Sequence, residues 1–206
     1  SEQEGIARDN RFYHKDLNFS LTFPDDWRIE NQTDRVIAAP ASKDGVIQLT
    51  VADIPRGVSP QQFMKQQLQL DSLQHGRKFT ANGLNGYTAV ASGSTPFGTR
   101  RVRYVVIYRN GSAYIVAGTA ADRNKQKAYD EDTLATAGSL HSLGTAEKKL
   151  ATEKKLDIIR ATSGMTYSGL AQRSPINDYP EEQLRLLNDQ YPDGEPEPSR
   201  ILKIVR

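Results

Sequence analysis

Residues 101–119, RVRYVVIYRNGSAYIVAGT, carry the clearest structural signal in this chain of 206 residues. Two runs rich in Val, Ile and Tyr flank the pair Asn110-Gly111. Both central positions of a tight hairpin turn need a positive φ, which Asn and Gly adopt most readily. The stretch therefore predicts a long antiparallel β-hairpin.

The flanking sequence extends this hairpin into a domain that we place at residues 1–145. Residues 17–23 alternate apolar and polar side chains, which predicts a half-buried strand. Trp27 follows a proline turn and is assigned to the core. Ser59 precedes a proline and an apolar stripe, which indicates a capped helix, and residues 121–143 are predicted as a second helix. The predicted fold class is α+β, an antiparallel sheet with helices.

Composition excludes several classes of function. There are 27 basic and 25 acidic residues, for a net charge of +2, so the balance gives no electrostatic reason to expect nucleic acid as a partner. With no cysteine, neither disulfides nor thiolate zinc sites are available to the chain. No apolar run approaches the roughly 20 residues of a transmembrane helix, so no transmembrane segment is expected.

Catalytic motifs are missing from the sequence. The histidines are His14, His75 and His141, and none belongs to a His-Glu-x-x-His pattern. There is no Gly-x-Ser-x-Gly elbow and no glycine-rich phosphate loop. We therefore expect no catalytic residue, no metal ligand and no cofactor in this chain.

Beyond residue 145 the character of the sequence changes. The run Glu-Lys-Lys-Leu occurs at 147–150 and again at 153–156, and residues 146–155 are predicted to be a charged linker, helical or flexible. Residues 156–206 then give the order strand, helix, helix, strand. Thr166 is the expected cap of the first of these helices, and Pro180 lies in the first turn of the second. The predicted architecture is a small βααβ domain with both helices on one face of the sheet.

This second domain resembles a LysM module. The residues that carry the resemblance are Gly164-Met165-Thr166-Tyr167, Leu170-Ala171, Leu184-Arg185-Leu186-Leu187-Asn188 and Ile201-Leu202-Lys203-Ile204-Val205. LysM modules bind N-acetylglucosamine polymers such as peptidoglycan. The resemblance implies a glycan site at the candidate residues Thr166, Tyr167, Asn188 and Tyr191.

The first domain is similar to the opening of PsbP-like domains. The matching run is Phe12 to Leu17 followed by Phe19-Ser20-Leu21-Thr22-Phe23-Pro24-Asp25-Asp26-Trp27. These are α+β sandwiches that are often used for partner docking. The resemblance implies the same fold for residues 1–145.

Together the two domains resemble the C-terminal region of bacterial periplasmic zinc metallopeptidases of the gluzincin type. The most distinctive match runs from Glu182 through Tyr191-Pro192-Asp193-Gly194-Glu195-Pro196 to Val205. The resemblance implies a periplasmic, non-catalytic accessory region that positions a protein substrate or partner, with zinc held only by a catalytic domain upstream. The alternative is a peptidoglycan-binding module acting through residues 156–206, and a third hypothesis is a free-standing enzyme of unknown type.

Overall fold

The computed structural model describes residues 5–152 and 154–206. It divides the chain into two units, an N-terminal unit that ends at Ala151 and a C-terminal unit, Thr152–Arg206. Each unit is described by itself below.

The N-terminal unit is mostly sheet. Its strands are β1 (Gly5–Arg8), β2 (Arg11–His14), β3 (Phe19–Thr22), β4 (Arg28–Asn31), β5 (Val36–Ala39), β6 (Gly45–Asp53), β7 (Gln74–Ala81), β8 (Leu84–Thr95), β9 (Gly98–Arg109), β10 (Ser112–Ala120) and β11 (His141–Ser142). Its helices are α1 (Pro60–Gln66), α2 (Gln126–Gly138) and α3 (Thr145–Thr152), the last of which reaches the boundary between the units. The predicted α+β class is confirmed.

The predicted hairpin lies at the centre of a seven-stranded antiparallel sheet of order β4-β5-β6-β10-β9-β8-β7. Arg109 pairs with Ser112 across the turn, where Asn110 has φ 48° and Gly111 has φ 78°. A second, four-stranded sheet has the order β1-β2-β3-β11. The local turn chemistry therefore set the register of the central strands, as the sequence predicted.

The large sheet is covered on both faces. On one face Val105, Tyr114 and Val116 belong to a core that includes aromatic residues of the first strands. The alternate positions, among them Val106 and Ile115, pack against α1 on the other face. Because neighbouring residues of a strand point to opposite faces, two apolar cores give the near-continuous apolar runs seen in β9 and β10.

Trp27 is a core residue, as predicted. Its side chain is 7% exposed, and its ring meets Tyr129 of α2 edge-on at 5.1 Å and 88°. Gly45 lies beneath this pair, since a Cβ there would approach the Tyr129 ring to 2.5 Å. The aromatic pair therefore joins α2 to the edge of the sheet.

Helix α1 begins as predicted, but it ends early. Ser59 accepts a hydrogen bond from the Gln62 backbone N–H at 3.2 Å, and the Gln62 side chain returns to Ser59. The helix ends at Gln66, and the expected closing pair His75-Gly76 belongs to β7 instead.

The predicted helix over 121–143 was too long at both ends. Helix α2 covers Gln126–Gly138, and the chain then runs along β3 as the short strand β11. The side-chain amide of Asn82 donates hydrogen bonds to the carbonyls of Gly138 and Leu140, at 3.3 and 2.9 Å. These hydrogen bonds from a distant turn satisfy carbonyl groups at and just after the C-terminus of α2. They could not be predicted from the sequence around the helix.

The predicted linker over 146–155 is largely helical, because α3 covers Thr145–Thr152. Its apolar residues Leu150 and Ala151 pack against Tyr13 and Leu143. A short apolar pair in a run of charges gives little periodicity, so this docking was not visible in the sequence.

An ion pair also holds the start of α3. The His141 Nε2 lies 2.9 Å from both Glu147 carboxylate oxygens, and its Nδ1 lies 2.6 Å from the Ser139 carbonyl. Burial disfavours the charged imidazole, but the Ser139 carbonyl and the Glu147 carboxylate outweigh it, so the pKa of His141 is raised. Burial likewise opposes ionisation of Glu147, but the Gly144 N–H and His141 outweigh it and lower the pKa of that carboxyl.

The C-terminal unit has the predicted order of elements. These are β12 (Leu156–Arg160), α4 (Tyr167–Gln172), α5 (Pro180–Leu187) and β13 (Ile201–Val205). The two strands pair antiparallel, from Leu156 opposite Val205 to Arg160 opposite Ile201. Tyr167, Leu184 and Ile204 form the buried core between the helices and one face of this small sheet.

Candidate functional site

Two of the candidate glycan residues have structural roles at the start of α4. Thr166 is the N-cap, and its hydroxyl accepts from the Gly169 N–H at 3.0 Å. Tyr167 is fully buried, and its hydroxyl donates to the side-chain oxygen of Gln190. Its backbone N–H donates to Glu195 at 3.0 Å. Tyr167 therefore has no surface to offer a ligand, and it organises the loop that follows α5 instead.

Asn188, the third candidate, joins α5 to the sheet. Its amide nitrogen donates to the carbonyls of Leu184 and Lys203, at 2.9 and 2.8 Å. Its amide oxygen accepts from the Lys203 N–H at 2.7 Å. The side chain thus pairs with β13 as a neighbouring strand would, which uses both of its polar atoms.

Tyr191, the fourth candidate, is 56% exposed on the loop after α5. A groove of about 290 Å³ opens in the same loop region, and most of its lining is polar. It is lined by Asn188, Asp189, Gln190, Glu197, Arg200, Ile201 and Leu202. Of the four candidate residues, the structure thus brings Asn188 to this groove as a lining residue and leaves Tyr191 exposed nearby in the chain.

A different surface stands out on the side of the small sheet that the helices do not cover. We call it the outer face, and it consists of Leu156, Ile158, Arg160, Ile201, Lys203 and Val205. Leu156, Ile158 and Ile201 are 62–63% exposed. Large aliphatic side chains at this exposure make the outer face a candidate interaction surface, because contact with a partner would remove apolar area from water.

The outer face is also cationic. Arg160 and Lys203 are its charged members, and it carries no carboxylate. Arg206 lies just beyond the end of β13, where its guanidinium binds Asp157 at 3.2 Å. An exposed apolar surface with positive charges among its side chains is complementary to a ligand that is apolar and acidic.

The two edges of this sheet differ. Lys155 and Arg206 exchange backbone hydrogen bonds of 2.7 and 2.8 Å, and Ala161 donates to Arg200 at 2.8 Å. Since bonded and non-bonded pairs alternate in an antiparallel ladder, the backbone groups of residues 156, 158 and 160 point away from β13. In the described part of the chain β12 pairs with β13 alone, so these groups form an open edge.

The N-terminal unit presents weaker candidates. Arg100, Arg101 and Arg103 form a basic group on β9, but Arg103 is buried and makes a two-point contact with Asp130 at 2.7 and 3.0 Å. Arg101 lines an open groove of about 410 Å³ that also includes residues 69–72. This groove is shallow and brings together no constellation of catalytic side chains.

Within residues 5–152 and 154–206, no group of three or more His, Cys, Asp or Glu side chains is arranged to hold a metal ion. In the same residues no helix has both the length and the apolar character needed to cross a bilayer.

Sequence reasoning missed the outer face, although part of its signal was visible. Leu156 and Ile158 alternate with the partly buried Ile159, so β12 has apolar residues on both faces. The helices of this unit pack on one face of the two-stranded sheet, and the apolar residues of the other face are exposed.

Comparison with solved structures shows similarity in fold. The solution structure of cyanobacterial PsbP (CyanoP) from Synechocystis sp. PCC 6803 matches with a TM-score of 0.48 and 14% identity, covering 67% of this chain and 95% of that one. A crystal structure from Bacteroides thetaiotaomicron VPI-5482 matches with a TM-score of 0.51 and 10% identity, covering 93% of this chain and 65% of that one.

A third similar structure is LpqN, described as involved in cell envelope biogenesis of Mycobacterium tuberculosis. Its TM-score is 0.42 at 18% identity, over 61% of this chain and 83% of that one. All three identities are low, so the likeness concerns the fold alone. No protein-family model matches the sequence, and no curated protein matches it.

Proposed function

We propose that this chain is a non-catalytic accessory region that positions a protein substrate or partner for a zinc metallopeptidase in the bacterial periplasm. The observation that carries the proposal is the outer face of the C-terminal unit, with Leu156, Ile158 and Ile201 exposed together. The link to a metallopeptidase and to the periplasm comes from the sequence resemblance. In this proposal the N-terminal unit is the scaffold and the outer face is the surface that holds the protein.

The apolar area and the positive charge of the outer face both favour a protein ligand. Aliphatic side chains gain about 25 cal/mol for each Å² of apolar surface removed from water, so a partner that covers the outer face is favoured. Protein segments with exposed apolar residues are the natural ligands of such a surface, whereas a sugar polymer offers mainly hydroxyl groups. Arg160 and Lys203 add a preference for acidic segments.

A direct test uses a permanently unfolded acidic protein, reduced and carboxymethylated α-lactalbumin, immobilised for biolayer interferometry. The full chain should bind in a saturable manner, and the double variant Ile158→Ser/Ile201→Ser should lose most of that binding. The matched control is Val51→Ser, since Val51 is a strand residue of the N-terminal unit that is 40% exposed. Equal binding by all three proteins would contradict the proposal.

A second candidate function is binding to peptidoglycan through the groove after α5. The observation that favours it is the polar lining of this groove, with Tyr191 exposed on the same loop. The exposed guanidinium of Arg200 is suited to sugar hydroxyls, and an exposed aromatic ring suits the apolar face of a sugar.

This second function is tested by co-sedimentation of the full chain with insoluble peptidoglycan. Retention that falls in Tyr191→Ala and persists in the outer-face double variant would favour the glycan. Recovery of the chain in the supernatant in every case would remove this candidate.

A further inference from the structure

We infer that the protein segment bound by the C-terminal unit is an extended chain that adds to β12 as a third strand, with apolar and acidic side chains at alternate positions. This inference rests on the proposed function and goes further, because it names the edge, the conformation and the chemistry of the ligand. Strand addition supplies affinity from main-chain hydrogen bonds and specificity from alternate side chains.

One edge of the small sheet, that of β13, is already occupied. The backbone N–H and carbonyl of Lys203 both bind the Asn188 side chain, at 2.7 and 2.8 Å. An incoming strand at β13 would have to displace these hydrogen bonds. Asn188 therefore protects the β13 edge in the way that natural sheets commonly blunt their edges.

Among residues 154–206, none covers the opposite edge in this way. The N–H of Ile158 binds the side chain of its own neighbour, Asp157, at 2.8 Å, which is a local contact that a new strand can replace. The outward N–H groups of Leu156 and Arg160 lie on the same edge, two residues to either side. The β12 edge thus offers a row of main-chain groups at the spacing of a strand.

The side chains of β12 also favour an added strand. Leu156, Ile158 and Arg160 all belong to the outer face, so a strand added at β12 would place every second residue beside them. Apolar residues match Leu156 and Ile158, and a carboxylate matches Arg160. A basic residue at the last position would face Arg160 directly, which makes the sign of the charge a specific part of the inference.

The test is a fluorescence-anisotropy titration of the full chain with a short labelled peptide whose alternate residues are Val, Val and Glu, separated by Thr. Replacing Glu by Lys should weaken binding by about tenfold, because attraction to Arg160 becomes repulsion. Two N-methylated peptides form a matched pair. Methylation of the nitrogens that face β12 should abolish binding, and methylation of the alternate nitrogens should leave it within about twofold.

Protein variants separate this inference from the proposed function. Both Arg160→Ala and Arg160→Pro remove the guanidinium, together with its hydrogen bond of 2.8 Å to the Ser199 carbonyl. Only Arg160→Pro also removes an outward N–H, and it does so without touching the β12–β13 ladder. Strand addition would be overturned if both N-methylated peptides failed to bind, and equally if both bound as well as the unmethylated peptide. If the unfolded α-lactalbumin binds through Ile158 and Ile201 but the peptides do not bind, the inference fails and the proposed function stands. If the α-lactalbumin fails to bind as well, both fail.

Discussion

Replacing Asn188 by Ala should destabilise the C-terminal unit far more than the surface position of the residue suggests. Three hydrogen bonds are lost, to the carbonyls of Leu184 and Lys203 and from the Lys203 N–H. At about 1 kcal/mol of net stabilisation for each bond, the expected cost is about 2–3 kcal/mol. A unit of this size has only a few kcal/mol to lose, so the change should be easy to measure.

Amide hydrogen exchange followed by mass spectrometry is the suitable assay, because it reports the two units separately. Peptides that cover β13 should exchange about 30- to 150-fold faster in Asn188→Ala, since 1.4 kcal/mol corresponds to a factor of ten. Fluorescence of Trp27 during urea unfolding reports on the N-terminal unit, and the urea midpoint measured in this way should be the same in Asn188→Ala as in the wild type. The control is Glu182→Ala, an exposed residue of α5. Wild-type exchange in Asn188→Ala would refute the structural role and leave the amide free for a ligand such as a glycan.

Three other perturbations test the N-terminal unit. Replacing the buried Trp27 by Ala should cost about 3–5 kcal/mol in urea unfolding followed by circular dichroism; an unchanged midpoint would remove this residue from the core. Asp130→Ala leaves the buried Arg103 guanidinium unpaired, so the same assay should show a loss of about 2–3 kcal/mol, with a smaller loss in Asp130→Asn; equal losses would argue against the ion pair. The raised pKa of His141 and the lowered pKa of Glu147 confine the stabilisation by their ion pair to a pH window. This stabilisation is complete between pH 4.5 and pH 6.5. It declines as pH rises through the folded-state pKa of His141, and it is lost as pH falls through the folded-state pKa of Glu147. Thermal unfolding against pH should show this window, and His141→Gln should flatten its alkaline side; an unaltered profile would refute the assignment.

Local chemistry made much of the fold predictable. The Asn110-Gly111 turn, the Ser59 capping box and the Thr166 cap each act within a few residues, so their residue types alone indicated the structure. The βααβ order of the C-terminal unit followed from the same kind of signal. Trp27 was assigned correctly because a large aromatic ring that follows a turn at the start of a strand is usually buried.

Distant contacts explain what the sequence could not predict. Helix α2 ends where Asn82, more than fifty residues away in the sequence, donates to the carbonyls of Gly138 and Leu140. The sequence around the helix end does not indicate this contact. The candidate site shows the same limit. Asn188 was a glycan candidate through the LysM resemblance, and its position at the end of a helix gives no sign of the strand that its amide reaches.

The outer face was missed for a different reason. Hydrophobic periodicity shows that β12 has apolar residues on both faces, but it cannot say which face the helices cover. Only the packing of Tyr167 and Leu184 against Ile204 decides this, and it leaves Leu156 and Ile158 in solvent.

The most direct test of the proposed function is a map of backbone amide chemical shifts in the full chain as unfolded, carboxymethylated α-lactalbumin is added. The account predicts that the shifts concentrate in residues 156–160 and 201–205, the two strands that carry the outer face. Shifts confined to the N-terminal unit or to residues 188–200, or no shifts at all, would contradict it.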